Sequence, residues 1–138
     1  MPKKQKTLLI IKPDAVKRNL VGRILSRVEE EGFRVLNLKY VRLAKKDAAR
    51  FYYVHRGKPF LPELVNYMAS GPAVPILLEK ANAISDLREL IGATDPKKAK
   101  PGTIRADFAL SMTQNSVHAS DTAQSAKFET DFFFKNSS

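Results

Sequence analysis

The stretch TLLIIKPDA, residues 7–15, begins with a short, continuous apolar run. Such a run is typical of a central strand that is buried on both faces of a sheet. Pro13 lacks the backbone N–H that a strand ladder needs, so it ends the strand, and Asp14 can cap a turn. Lys12 is therefore predicted to lie at the end of a central strand.

An alternation of helices and strands follows this segment. Leu20, Ile24 and Val28 recur at four-residue spacing and Gly32 follows them, which predicts an amphipathic helix that ends at the glycine. The remaining patterns predict a half-buried strand at 33–43, short helices at 45–55 and 59–69, a strand at 72–80 and a helix at 82–92.

The last third of the chain contains a long insertion and a closing helix. Residues 93–114 are rich in small residues, proline and lysine, and they form a loop that is too long for a simple connection. Residues 115–120, NSVHAS, are predicted as a short strand. Ser120 or Asp121 is predicted to cap a final helix at about 122–134.

The composition limits the kinds of protein that this chain can be. Its 138 residues, 43% of them hydrophobic, suffice for one domain with a real core, so a single domain is predicted over residues 1–138. There is no cysteine, and the two histidines are 63 positions apart, which argues against disulfides, thiolate nucleophiles and transition-metal clusters. The apolar run at 8–11 is too short for a signal peptide or a membrane span, so a cytoplasmic protein is expected.

Positive charge is concentrated in the first part of the chain. Residues 1–58 carry 16 Lys and Arg against 5 Asp and Glu, whereas the other residues carry 8 against 9. Such a field attracts nucleic acid, but it equally attracts a nucleotide or only keeps the protein in solution. Solubility is the default interpretation of the charge alone.

The final helix carries a carboxylate among its apolar residues. At about 100° per residue, Ala126, Glu129 and Phe133 share one stripe of the helix. A carboxylate on that face needs a partner, and His118 and Ser120 are the nearest candidates in the sequence. A hydrogen bond from one imidazole nitrogen to Glu129 would fix the tautomer of the ring. Two plainer interpretations stay open, a glutamate that reaches water and a histidine that caps a turn.

Residues 115–121, NSVHASD, resemble the active-site signature of nucleoside diphosphate kinases. Four other segments resemble motifs of the same family in the same order: TLLIIKPDAV at 7–16, FYYVHRGKPF at 51–60, GATDPKKAKPGTIRADFA at 92–109 and DFFF at 131–134. Several separated motifs in the right order are far more specific than one short pattern. The resemblance covers nearly the whole chain and predicts membership of this family.

The resemblance implies a ping-pong phosphoryl transfer. A nucleoside triphosphate, typically ATP, gives its γ-phosphoryl group to Nδ1 of His118, and a nucleoside diphosphate such as GDP later accepts it. Glu129 and Ser120 shape the surroundings of the ring. Neutral imidazole attacks phosphorus without a strong base, and a phosphorylated ring nitrogen is a good leaving group, so the residue suits the reaction.

The resemblance also implies the residues that bind the nucleotide. They share the ability to donate hydrogen bonds or positive charge to oxygen, or to stack on a base. By matching the family's motifs, Lys12, Arg88, Thr94 and Arg105 surround the phosphates, Tyr52 lies near the lysine and the histidine, Asn115 contacts Lys12 and the ribose, and Phe60 stacks on the base. Taken singly, each of these residues has an ordinary structural explanation, and only their joint spacing favours a site.

The family further implies a fold, a metal and an assembly. The fold is a ferredoxin-like α/β sandwich, a four-stranded antiparallel sheet with helices packed on it and a long inserted loop at about 93–114. Mg²⁺ is expected to arrive with the nucleotide, held by phosphate oxygens and water rather than by a protein cage. Homo-tetramers or homo-hexamers are expected, with no membrane partner. The competing functions are a basic nucleic-acid-binding domain and a regulatory protein with an impaired site.

Three residues depart from the family's usual pattern. Ala119 follows the histidine where the family usually has glycine, and an extended backbone there would tolerate alanine. Lys80 also replaces a common glycine, and Met112 replaces a branched aliphatic residue near the base. None of the three removes an expected catalytic residue.

Overall fold

An antiparallel sheet forms the centre of the fold. The computed structural model describes residues 3–112 and 114–135. The strands, in chain order, are β1 (Lys4–Ile11), β2 (Arg34–Leu38), β3 (Val41–Arg42), β4 (Pro72–Ala81) and β5 (Val117–Ala119). Their spatial order is β2-β4-β1-β5, and β3 also pairs with β4. Leu8–Ile11 of β1 are fully buried, which confirms the predicted central strand.

Strands β2 and β3 share one edge of the sheet. β2 pairs with residues 76–79 of β4, and β3 pairs with residues 72–73. The prediction of one continuous strand here is wrong. The break lies near Pro75, which has no backbone N–H for the ladder, and Oδ1 of Asn37 accepts the N–H of Leu38 at 2.8 Å. With β2 and β3 on one edge, the order is the four-stranded antiparallel arrangement of the ferredoxin-like fold, as expected.

Helices cover both faces of the sheet. Leu9 and Ile11 point into one core and Leu8 and Ile10 into the other, because successive side chains alternate across a strand. Burial on both faces explains why this strand is apolar throughout. The helices are α1 (Pro13–Lys17), α2 (Val21–Glu30), α3 (Lys45–Phe51), α4 (Leu61–Met68), α5 (Ala83–Ile91), α6 (Ile104–Phe108) and α7 (Ala123–Phe134), with a 3-10 turn at Tyr53–His55.

Helix α7 begins at a capping box. The Thr122 hydroxyl accepts the Ser125 N–H at 3.0 Å, and the Ser125 hydroxyl accepts the Thr122 N–H at 2.9 Å. The prediction of Ser120 or Asp121 as the cap is wrong, because Thr122 is the residue with a reciprocal partner three positions later. This cap starts α7 directly after β5, and Glu129 then lies beside the strand.

The long insertion contains a short helix of its own. Thr103 caps α6, and its hydroxyl accepts the N–H of Ala106 at 3.3 Å. Helix α6 carries Arg105 into the interior. None of the helices in the described residues is both long and apolar enough to span a membrane.

Candidate active site

His118 lies in the middle of β5, where it pairs with Ile10 of the central strand. Its Nε2 lies 2.8 Å from Oε1 of Glu129, and the Ser120 hydroxyl donates to the same carboxylate oxygen at 2.8 Å. A carboxylate accepts hydrogen bonds, so Nε2 carries the proton and Nδ1 carries the lone pair. Nδ1 has no hydrogen-bond partner in the described part of the chain. The ring is therefore held as the tautomer in which Nδ1 is free to act as a nucleophile.

Lys12 follows the last residue of β1 and is buried, with 5% of its surface exposed. Its Nζ donates to Oδ1 of Asn115 at 2.9 Å, and its backbone N–H donates to the carbonyl of Ser116 at 2.8 Å. Burial, followed by the charge of Arg105, lowers the pKa of Lys12 to about 7, whereas Asp14 opposes this shift. A bound phosphate would favour the charged form of the amine.

Helix α6 brings Arg105 to the same region. Its Nη1 donates to the carbonyl of Gly92 at 3.0 Å, and its Nη2 donates to the carbonyl of Val117 at 2.8 Å. Burial, followed by the charge of Arg88, lowers the pKa of Arg105 to about 10, so the guanidinium stays charged at neutral pH. Its Nε–H is buried without a partner among the residues described. This group is a donor that a bound anion can use.

Tyr52 lies at the end of α3 and packs edge-on against His118, with ring centroids 5.9 Å apart. Its hydroxyl is buried, and no described residue forms a hydrogen bond with it. Burial, followed by the charge of Glu129, raises the pKa of Tyr52 well above its usual range. The hydroxyl therefore stays protonated and can donate to an oxygen that enters the site.

The predicted residues meet around one cavity of about 530 Å³. Arg88 donates to Asp121 at 3.0 Å, and Phe60 is about half exposed. Glu129 contacts both His118 and Ser120, and neither Glu129 nor Ser120 lines the cavity. The predicted residues on the wall are Lys12, Tyr52, Phe60, Arg88, Thr94, Arg105, Asn115 and His118.

Other wall residues were not selected from the sequence. His55 stacks on Tyr52 with centroids 6.3 Å apart and contacts Phe60 edge-on at 5.3 Å. The sequence did contain a signal for His55, because it lies between Tyr52 and Phe60 in the segment FYYVHRGKPF, which carries two predicted site residues. Asp121 also lines the cavity through its ion pair with Arg88, and nothing in the local pattern indicated that pair.

A ring nitrogen with a free lone pair shares this cavity with three basic side chains, Lys12, Arg88 and Arg105. This arrangement suits phosphoryl transfer, because positive charge stabilises the charge on the moving group. The family model described as "Nucleoside diphosphate kinase" matches residues 5–138. The chain belongs to this family. Nucleoside diphosphate kinases are enzymes, so the chain belongs to a family of enzymes.

Similarity to known nucleoside diphosphate kinases extends over nearly the whole chain. The kinase of a Nitratiruptor species is 55% identical over 130 residues, which are 94% of this chain and 95% of the relative. The kinase of Chlorobium luteolum is 52% identical over 130 residues, with coverage of 94% and 93%. A crystal structure of the Aquifex aeolicus kinase, in an orthorhombic form, matches with a TM-score of 0.95 and 44% identity and covers 97% of each chain.

The three departures from the nucleoside diphosphate kinase pattern have different surroundings. Ala119 lies in β5 with an extended backbone, as expected, and its side chain is buried in the core. Lys80 forms an ion pair with Asp86 and lies over the Phe33 ring, and it does not line the cavity. Met112 lines the cavity and is 61% exposed. Only Ala119 and Met112 therefore touch the site.

Ala119→Gly restores the family's usual glycine. It is expected to leave the rate of phosphoryl transfer between nucleotides within roughly twofold of the wild-type rate, because the extended backbone at this position does not require glycine. The same change is expected to lower the free energy of unfolding by about 0.5–1 kcal/mol through greater freedom of the unfolded chain. Steady-state kinetics and urea unfolding measure the two effects. A large gain in rate would contradict the prediction and show that alanine impairs this member of the family.

Gly92→Ala is expected to destabilise the protein by roughly 1–3 kcal/mol and to weaken nucleotide binding. Gly92 has φ +88°, and an added Cβ would lie 2.5 Å from the hydroxyl oxygen of Thr103. Thr103 caps the helix that carries Arg105, and the Gly92 carbonyl accepts a hydrogen bond from that arginine. Urea unfolding and calorimetric titration with ADP measure the two effects.

The matched control for Gly92→Ala is Gly22→Ala. Gly22 lies in α2, and an added Cβ meets no atom within 4 Å. This control is expected to stabilise the protein by about 0.5–1 kcal/mol, because alanine is the better helix former. Equal effects of the two variants on stability and on ADP binding would contradict the prediction that the conformation of Gly92 holds Arg105 in place.

Proposed function

We propose that the protein transfers the γ-phosphoryl group of a nucleoside triphosphate, typically ATP, to a nucleoside diphosphate through a phosphohistidine at Nδ1 of His118. The observation that carries this proposal is the hydrogen bond between Nε2 and Glu129, which leaves the lone pair of Nδ1 free for attack. Exchange of this kind maintains the pools of nucleoside and deoxynucleoside triphosphates.

Each half of the proposed ping-pong reaction exchanges one bond for another. Nδ1 attacks the γ-phosphorus, the Nδ1–P bond forms, and the bond from phosphorus to the β,γ-bridging oxygen breaks, so a nucleoside diphosphate leaves. Glu129 balances the positive charge on the ring through Nε2–H, and Ser120 holds the carboxylate in place. In the second half, a terminal β-phosphate oxygen of another nucleoside diphosphate attacks the same phosphorus. The new O–P bond forms, the Nδ1–P bond breaks, and its electron pair returns to Nδ1, so a nucleoside triphosphate leaves and the neutral ring is restored.

Donors around the cavity would stabilise the charge on the moving phosphoryl group. Arginines match phosphate oxygens with two parallel N–H groups, and a lysine acts as a compact charge. The buried donors without partners among the described residues, the Tyr52 hydroxyl and Arg105 Nε, support this assignment because an incoming oxygen would satisfy them. The proposed phosphate ligands are Lys12, Arg88, Thr94 and Arg105, with Asn115 on the ribose and Tyr52 near the nucleophile.

Phe60 is proposed as the surface on which the base stacks. Its ring is about half exposed and lines the cavity, and His55 contacts it edge-on. Stacking on the face of a ring does not distinguish purines from pyrimidines, since every base has such a face. Broad nucleotide specificity is therefore proposed.

Mg²⁺ is proposed to enter the site with the nucleotide. The cavity presents chiefly nitrogen donors and cations, which suit phosphate oxygens. Its wall carboxylates are Glu63 and Asp121, and Asp121 is paired with Arg88. Within residues 3–112 and 114–135, no three His, Asp or Glu side chains are grouped so that they could hold a metal ion. Phosphate oxygens and water are therefore proposed as the main ligands of the ion.

The assembly and the location of the protein remain proposals drawn from the family. A homo-tetramer or homo-hexamer, a cytoplasmic location and a single domain over residues 1–138 are proposed. Binding of nucleic acid is at most a secondary role. The positive charge of residues 1–58 motivates that role, but it gives no reason for the contact between His118 and Glu129.

The test of the proposed function is a pulse and chase on the nucleotide-free protein. Incubation with γ-labelled ATP and Mg²⁺ is expected to give a labelled protein that is stable in base and labile in acid, as a phosphohistidine is. Added GDP is then expected to remove the label and yield labelled GTP. A folded protein that binds ATP but acquires no label, or whose label does not move to GDP, would overturn the proposal.

A further inference from the structure

Asp14 is buried in α1, two residues after Lys12, and the reaction described above does not use it. Its Oδ1 accepts hydrogen bonds from the Tyr67 hydroxyl and from the Ser116 N–H. Its Oδ2 accepts from Arg18 Nη2 at 2.9 Å and from the Ser116 hydroxyl at 3.0 Å. Both carboxylate oxygens are thus engaged, by Arg18 at the end of the same helix and by Tyr67 and Ser116 from distant parts of the chain. We name this set of contacts the Asp14 clamp.

The Asp14 clamp holds a strained segment next to the phosphate ligands. Ser116 has φ +73°, a left-handed conformation that non-glycine residues rarely adopt, and two of its groups donate to Asp14. Asn115 precedes Ser116 and accepts the hydrogen bond from Lys12 Nζ. The carboxylate therefore ties the segment that carries Lys12 to the segment that carries Asn115.

The clamp also reaches the helix of the buried arginine. Arg18, which Asp14 holds, donates to the carbonyl of Phe108 at 2.7 Å. Phe108 is the last residue of α6, the helix that carries Arg105. One carboxylate thus connects the backbone around three proposed nucleotide ligands, although it does not line the cavity itself.

We infer that Asp14 is a positioning residue for phosphoryl transfer, which holds Lys12 in place beside the cavity and favours its charged form. The inference rests on the proposed function, because it assigns Lys12 to the phosphates. Positioning follows from the hydrogen bonds that join the two segments. The electrostatic part follows from the carboxylate itself, since a nearby anion favours an ammonium ion.

The charges around Lys12 act on its protonation in opposite directions. Arg105 opposes protonation of the amine, and burial opposes it more strongly, whereas Asp14 favours it. The other titratable or charged groups of the site are Tyr52 at the end of α3, His55 in the 3-10 turn, Glu63 in α4, Arg88 in α5, His118 in β5, Asp121 before α7 and Glu129 within α7. Removal of the Asp14 charge is therefore expected to favour the neutral amine.

The test is a direct titration of Lys12 in the nucleotide-free protein. Lysine labelled with carbon-13 at Cε reports protonation by NMR, and a Lys12→Arg variant assigns the resonance. In Asp14→Asn the titration midpoint of Lys12 is expected to fall by on the order of one pH unit. Asp86→Asn, which loses an ion pair with Lys80 outside the cavity, is the matched control and is expected to leave the midpoint unchanged.

Kinetics provide the second readout. KM for ATP in Asp14→Asn is expected to rise by about tenfold at pH 8 and to come within about twofold of the wild-type value at pH 6, where about half of the variant's amine is protonated. If the role of Asp14 were purely structural, Asp14→Asn would lower stability and kcat at every pH, but it would change neither the NMR titration profile of Lys12 nor the pH profile of KM for ATP. Tyr67→Phe keeps the carboxylate and its contacts with Arg18 and Ser116, so both profiles are expected to stay near those of the wild type.

Each outcome decides the inference separately from the proposed function. Unchanged profiles in Asp14→Asn would overturn the inference even if the wild type forms a phosphohistidine. A wild type that forms none would overturn the proposed function, whatever the NMR titration shows. If Asp14→Asn does not fold, Asp14→Ser takes its place with the same expected results. Failure of both variants to fold would assign Asp14 to stability alone and overturn the inference.

Discussion

His118→Gln is expected to abolish the phosphoenzyme and to lower the exchange rate by roughly 10⁴-fold or more, because the variant lacks the nucleophile of the covalent pathway. The amide N–H₂ of glutamine can still donate to Glu129, so the carboxylate beside the ring keeps a partner. The fold is therefore expected to survive. Pulse labelling with γ-labelled ATP, together with circular dichroism, measures both effects.

The matched control for this prediction is His55→Gln. His55 is the other histidine of the chain and lies in the same cavity, where it contacts Tyr52 and Phe60. The carboxylate of Glu129 is engaged by His118 and Ser120 instead, so the control is expected to keep the acid-labile label. Loss of the label in His55→Gln, or its survival in His118→Gln, would contradict the assignment of the nucleophile.

Much of the fold can be predicted from local patterns. The apolar run before Pro13 identifies β1, because burial on both faces leaves a continuous apolar stretch. Four-residue spacing with a terminal glycine identifies α2, because burial of one stripe leaves a clear period. The break between β2 and β3 could not be predicted in the same way. It depends on the partner strand, where Pro75 offers no donor.

The candidate site likewise has a part that the sequence predicts and a part that it does not. The position of Glu129 on an apolar stripe predicts a buried partner, and the hydrogen bond with His118 is that partnership. The nucleotide ligands follow from the motifs of the family and not from any periodicity. The Asp14 clamp could not be predicted, because Tyr67 and Ser116 are 53 and 102 positions away from Asp14. Such contacts arise only from tertiary packing.

Lys12→Met is expected to make the protein more stable and nearly inactive. Burial lowers the pKa of Lys12 from 10.5 to about 7, which means that the folded state resists protonation of this amine. Between these values the unfolded chain holds a proton that the folded protein does not, so the penalty on folding is fully present below pH 7 and disappears as the pH rises towards 10.5. Methionine fills a similar space without the charge.

The free energy of unfolding is expected to rise by on the order of 1–2 kcal/mol at pH 6. Removal of the buried charge stabilises the fold, but the loss of the hydrogen bond from Lys12 to Asn115 offsets part of this gain. The gain is expected to vanish above about pH 10. Activity is expected to fall by roughly 10²-fold or more, since a charge that faces the moving phosphoryl group is lost. Urea unfolding at pH 6 and pH 10, together with kinetics at pH 8, measures these effects.

The control for Lys12→Met is Lys127→Met, in which a lysine that is 76% exposed and paired with Asp131 is replaced. Because water solvates this amine in both the folded and the unfolded chain, its removal is expected to change neither the pH dependence of stability nor the activity. A loss of stability in Lys12→Met at pH 6 would contradict the prediction. It would mean that the hydrogen bond to Asn115 outweighs the burial of the charge, and that Lys12 serves the fold as well as the nucleotide.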